Sequence, residues 1–261
     1  MSDVRLVWLF IRLGMLHELA YGTNLVVQVV SSTLGLVAAL LLLLAMFAQT
    51  ETLAGWRAPE LLVVLGVFYL VTGLLGTLVR PSLQAFVDDV LRGTLDFTLT
   101  RPRDAQVLVS TKQVEVWQLV DVGLGLGLLG SALVQLDGRV GPAQAVGFVV
   151  ALGAGILTMY SCCMLLATLA FWFVRMDNVL IVFLSFWEAG RWPVDMYPGW
   201  LRGTLTFIIP VAFATTVPAQ VLTGQVAVVA VLGTLAAAGV LLAVARLVWL
   251  RGLRRYTGAS A

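Results

Sequence analysis

Lysine is almost missing from this chain of 261 residues. Lys112 stands alone, preceded by Ser110 and Thr111. No Gly-Lys-Ser/Thr phosphate loop is therefore present, which excludes ATP hydrolysis by P-loop chemistry. If ATP drives the protein, the ATPase is another polypeptide. Histidine is as scarce: His17 is the only one, so no His-rich metal cluster can be built and no metal site is expected. The two cysteines, Cys162 and Cys163, are adjacent inside an apolar run. Neighbours on a helix point about 100° apart and seldom form a disulfide, so they read as small packing residues. Charge is also thin, at 11%, where soluble domains carry roughly 25%. A net charge of +2, spread along the chain, gives no basis for a nucleic-acid partner. No Ser–Lys or paired-Asp constellation lies in the apolar runs, so no catalytic residue is assigned and no cofactor is expected in this chain.

What is present is mostly hydrocarbon. Hydrophobic residues make up 60% of the chain, and its mean hydropathy is +0.99. Residues 1–261 read as one all-α, multi-pass domain in a lipid bilayer, with room for about six spans of roughly 20 residues. Residues 1–20 alternate charge and apolar bulk. Arg5 and Arg12, seven apart, share a helical face, which predicts an interfacial amphipathic helix. They also interrupt the run that a cleavable signal would need.

Spans are expected at residues 25–48, 61–79 (stopped by Arg80-Pro81), 116–136 and 145–174. The fifth run, 179–187, is too short to cross alone, and the sixth span is 226–250. Residues 188–224 are apolar but broken by Pro193, Pro198 and Pro210. Each proline removes a backbone donor. This predicts a re-entrant helical hairpin on the outer side between spans five and six. With both termini cytoplasmic, twelve basic residues fall inside and four outside, as the positive-inside rule requires. A seventh span would put Arg251, Arg254 and Arg255 outside.

The longest polar connection, 81–115, holds Gly93-Thr94-Leu95-Asp96-Phe97-Thr98-Leu99-Thr100-Arg101-Pro102. A second block follows the fifth run: Arg191-Trp192-Pro193, Tyr197-Pro198-Gly199-Trp200-Leu201 and Ile209-Pro210-Val211-Ala212. With this span count, the two blocks resemble the six-span permease subunit of ABC-2-type ABC transporters, over essentially the whole chain. The resemblance implies an exporter in a bacterial inner membrane, built from two permeases, identical or sibling, and cytoplasmic ABC ATPase subunits that bind ATP and Mg. It also implies that 81–115 is the cytoplasmic coupling loop, with Arg92, Gly93, Leu95, Asp96, Leu99, Arg101 and Pro102 meeting the ATPase. Leu95 and Leu99, four apart, would form an apolar ridge, and Arg92 could pair with Asp96. Glu188, Arg191, Pro193, Pro198, Trp200 and Pro210 would form the outer gate.

Glu188 and Arg191, expected at the outer mouth, either pair or line an exit. Trp187, Trp192, Tyr197 and Trp200 read as an interfacial belt. Asp121 and Gln118 sit near the start of a span, where snorkelling toward water explains them. Gly123, Gly125, Gly127 and Gly130 offer a small-residue packing face. Arg246 reads as a snorkelling residue. The rival function is a channel or secondary transporter driven by an ion gradient, which would hold ionisable groups at the bilayer midplane.

Overall fold

Backbone groups in lipid have no partner but one another, and the chain answers with helices. The computed structural model describes residues 22–100, 104–136, 140–173, 177–225 and 228–256, and no strand occurs among them. The interfacial helix expected at 1–20 lies outside the described residues, as do Arg101 and Pro102.

The first long helix, α1 (Gly22–Phe47), is exposed over most of its circumference. Helix α2 (Ala58–Leu74) is the innermost, with Val63, Val64, Val67 and Val71 fully buried. It passes through a π turn (Leu75–Val79) into α3 (Arg80–Arg92). Two short helices follow, α4 (Asp96–Leu99) and α5 (Ala105–Ser110). Then come α6 (Leu119–Gln135), α7 (Pro142–Thr168) and α8 (Asp177–Trp187), the last only 11 residues long. Helices α9 (Gly199–Phe207), α10 (Val211–Ala214) and α11 (Thr216–Leu222) are short, and α12 (Val228–Leu253) ends the bundle.

Among the described residues, five helices are long and apolar enough to cross a membrane. A sixth is reached if α9 and the following α10–α11 stretch, bent by 68°, count as one span. At 1.5 Å per residue, α8 reaches about 16 Å, short of a crossing.

Arg80-Pro81 does not end the helix of the second span, contrary to expectation. The helix runs unbroken from Ala58 to Arg92. Pro81 has no N–H for the Thr77 carbonyl four residues back. The π turn frees that carbonyl, and the Glu115 N–H fills it at 2.9 Å. The loop end thereby ties itself to the helix it follows.

α2 and α6 approach so closely that their backbones touch. A Cβ on Gly125 would sit 2.5 Å from the Leu70 nitrogen and 2.7 Å from the Gly66 carbonyl. Of the four glycines expected to form a packing face, only Gly125 packs; Gly123, Gly127 and Gly130 face open space. At the end of the bundle that carries the 92–115 loop, Phe86, Phe171 and Trp249 interlock with ring centroids 5.2–5.7 Å apart. These rings join α3, the end of α7 and α12.

Candidate functional site

The polar loop is built on a helix cap. Gly93 takes the left-handed conformation (φ 70°) that ends α3, and the Gly93 and Thr94 N–H groups donate to the Val90 and Asp89 carbonyls. Only glycine adopts that conformation at no steric cost. The chain then turns through α4. Leu95 is fully buried and Leu99 packs half-buried on the core, while Phe97 is 78% exposed. The ridge expected from Leu95 and Leu99 therefore faces inward, because it anchors the turn. Arg92 pairs with Asp88 at 3.6 Å, one turn back on its own helix, rather than with Asp96. Asp96 begins α4, where a carboxylate suits the helix N-terminus.

Several links fasten this loop to the spans. Lys112 pairs with Asp89 on α3. Ser82 donates to the Gln113 carbonyl at 2.8 Å and accepts its N–H at 3.0 Å. Asp104 caps α5 by accepting the Gln106 N–H at 2.9 Å, and it receives Arg246 of α12 at 2.5 and 2.9 Å. Arg246 also donates to Gln106 Oε1 at 2.8 Å, so it is a tether and not a snorkelling residue. The Arg246 guanidinium holds the Asp104 carboxyl below its usual range. Ser110 and the Tyr160 hydroxyl, 2.7 Å apart, add a contact to α7.

The residues expected at the outer mouth pack partly against α2. Trp187 is buried, stacks on Phe68 at 5.5 Å and donates to Thr72 Oγ1 at 2.8 Å, so it belongs to the core and not to an interfacial belt. Glu188 and Arg191 pair at 2.7 Å within a single 3-10 turn. The Arg191 guanidinium carbon lies 5.3 Å from the Phe68 ring centroid. Phe68 lies about 15 Å along α2 from Ala58 at 1.5 Å per residue. Pro193 and Pro210 are buried, whereas Pro198 precedes α9 and Trp200 is 74% exposed. The structure thus packs Pro193, Pro210 and half-buried Arg191 on the bundle but leaves Glu188 and Trp200 exposed. Asp195 accepts from Arg202 at 2.6 Å and from Gln220 at 3.1 Å. The bent segment therefore begins and ends at one level. Between its arms lies a cavity of about 420 Å³, lined by Asp195, Arg202, Phe207, Thr216 and Gln220 among others.

Asp121 does not snorkel: it is 4% exposed and accepts Gln28 Nε2 at 2.9 Å. Gln28 in turn donates to Ser32 at 2.9 Å. The signal was available, since Gln28 and Ser32 lie four apart in an otherwise apolar helix and so share a face. No group of three metal-ligating side chains occurs among the described residues.

Comparison with curated proteins gives no match, and comparison with solved structures gives none. The family model described as "ABC-2 family transporter protein" matches residues 34–260. That range takes in the loop, the bent segment and every long helix except the start of the first. A multi-pass helical chain matched over most of its length in this way belongs to the ABC-2 transporter family.

Proposed function

We propose that this chain is the permease subunit of an ATP-driven exporter in a bacterial inner membrane. It works with a separate cytoplasmic ABC ATPase, which binds ATP and Mg, and with a second permease that is the same chain or a sibling. The family match over 34–260 carries this reading, in a chain whose one lysine sits in no phosphate loop. Both termini are cytoplasmic in this reading, in keeping with the twelve-to-four split of basic residues.

The loop from Arg92 to Pro102 is the element that meets the ATPase. Phe97 enters the partner's groove, while Gly93, Leu95 and Leu99 hold its turn in shape and Arg92, Asp96 and Arg101 supply the charged rim. Closure of the ATPase pair pulls on this loop, and the Lys112–Asp89 and Asp104–Arg246 links pass the pull to α3 and α12 as rigid-body motion. The segment 188–224 is a re-entrant hairpin that gates the outer side through Glu188, Arg191, Pro193, Pro198, Trp200 and Pro210. The Asp195–Gln220 contact supports this, since it joins the segment's two ends.

The test is affinity purification from the native membrane in mild detergent, with companions identified by mass spectrometry. A soluble P-loop ATPase is expected, and Phe97→Asp should reduce its recovery at least tenfold. Buried Asp121 favours a second reading, a transporter driven by an ion gradient. In that case no ATPase accompanies the chain, and the exporter reading fails.

A further inference from the structure

The bent segment carries polar groups that a role as a gate does not use. Its first arm, α9, turns one stripe toward the second: Gly199, Arg202, Gly203 and Thr206, spaced three and four apart, line the cavity of about 420 Å³. Thr216 and Gln220 of α11 line the opposite wall. The stripe is open because two of its members lack side chains. A Cβ on Gly199 or Gly203 would meet nothing within 4 Å. The volume falls within the roughly 300–1,000 Å³ of small-ligand pockets.

The cleft has donors left to offer, while its carboxylate is fully engaged. Asp195 Oδ1 takes Arg202 at 2.6 Å and Oδ2 takes Gln220 at 3.1 Å. Arg202 makes that one side-chain contact among the described residues, and its side chain is 57% exposed, so its other guanidinium N–H groups are uncommitted. Thr216 Oγ1 accepts the Val194 N–H at 3.2 Å, and its own O–H has no acceptor among the described residues. Such a set suits an oxyanion, which a guanidinium binds through paired N–H groups. It does not suit an ammonium, since Gln220 Oε1 is left as an acceptor but the carboxylate is not. Beside the arginine, Trp200, Phe207 and Ile208 stand exposed. Tryptophan next to a basic residue is typical of the level of the lipid head groups.

We propose that this cleft binds a membrane phospholipid, with its phosphate on Arg202 and Thr216 and its chains along Trp200, Phe207 and Ile208. The inference goes beyond the permease reading and needs no ATPase. Asp195 decides between the two sources of phosphate. Its charge cancels that of Arg202, so the cleft is neutral as a whole and attracts free phosphate weakly. A lipid has its chains already in the bilayer beside the aromatic flank, so its head meets the cleft at high effective concentration. Seated there, the head touches α9 and α11 together and braces the 68° bend.

The test is native mass spectrometry of the full chain, with whatever co-purifies, released from an uncharged maltoside detergent. The probes are dioleoylphosphatidylglycerol and dioleoylglycerol, which differ by the glycerophosphate head. The wild type should hold the phospholipid about tenfold more tightly, and Arg202→Gln should erase that preference. Gly203→Leu, which fills the cleft and removes no charge, should weaken phospholipid binding to a similar degree. Asp195→Asn should act in the opposite sense, because Arg202 loses its counter-charge: the phospholipid binds more tightly and inorganic phosphate begins to compete. A pair that merely props the segment would give weaker binding there, and that result in folded protein overturns the proposal. Equal binding of the two probes by the wild type overturns it as well. So does a preference that survives Arg202→Gln in protein with an unchanged elution profile and Tm. If Arg202→Gln does not fold, Gly203→Leu decides, and unchanged preference there overturns the site. Displacement of the lipid from the wild type by millimolar inorganic phosphate overturns the lipid as the source.

Discussion

Leu95 and Phe97 are two residues apart and have opposite work. Leu95 is fully buried, so Leu95→Ala should destabilise the protein by about 2–5 kcal/mol, as buried leucine truncations do. Phe97 is 78% exposed, so Phe97→Ala should change stability by less than about 0.5 kcal/mol yet lower ATPase recovery. Thermal unfolding and pull-down on the two variants separate the roles; equal loss of ATPase with unchanged stability in both would return the ridge to the surface. The loop was legible because a run of polar residues stands out in an apolar chain. Its orientation was not. Residues 95 and 99 share a helical face under either arrangement, and only the cap at Gly93 decides which way that face points. Asp121 was misplaced for a related reason. Position along the span can be counted, but the donor comes from α1, and Gln28 is ninety-three residues away in sequence.

The same limit holds for elements. Lengths of apolar runs located the long helices to within a few residues, except that the second runs on to Arg92, because bilayer thickness sets them. They could not foresee the helix passing through Pro81, since the N–H that satisfies Thr77 arrives from Glu115. Nor could they say which glycines touch. Gly125→Val drives a side chain into the backbone of α2 and should cost about 1–3 kcal/mol or more. Gly127→Val meets open space and should cost less than about 0.5 kcal/mol. Unfolding midpoints of the pair in one detergent check this, and matching losses would show that α2 and α6 can move apart. The link between α5 and α12 has a pH signature. The Arg246 hydrogen bond lowers the Asp104 carboxyl from its ordinary 3.8. A lowered folded-state value means the link is complete above that ordinary range and weakens only as pH falls through the lowered value. The Tm gap between wild type and Asp104→Asn should therefore be constant from about pH 5 to 8 and close only in stronger acid. A gap that closes between pH 5 and 7 would refute the assignment.

For the whole molecule, sidedness decides whether the bent segment crosses the membrane, and the basic residues predict that it does not. If α8 with the turn after it makes the fifth crossing and α9–α11 turn back, α12 is the sixth and the chain end after it lies inside with Arg251, Arg254 and Arg255. If they crossed as one span in addition, there would be seven crossings and those arginines would face out, against the charge bias. The protein is well suited to a cysteine scan, because Cys162 and Cys163 are 8% and 3% exposed and give little background. Gln49→Cys and Gln225→Cys mark the end of the bundle opposite the 92–115 loop. Gly224 lies against Gln144 there, in the first turn of α7. Thr111→Cys and Arg255→Cys mark the loop end. In intact cells a membrane-impermeant maleimide should label the first two, and it should reach the second two only after permeabilisation. Labelling of Arg255→Cys in intact cells would make the bent segment a seventh crossing. It would also part the loop from the C-terminal arginines, which the aromatic lock of Phe86, Phe171 and Trp249 holds at one end. Since both outcomes cannot fit one bundle, the labelling pattern tests the fold and the charge rule together.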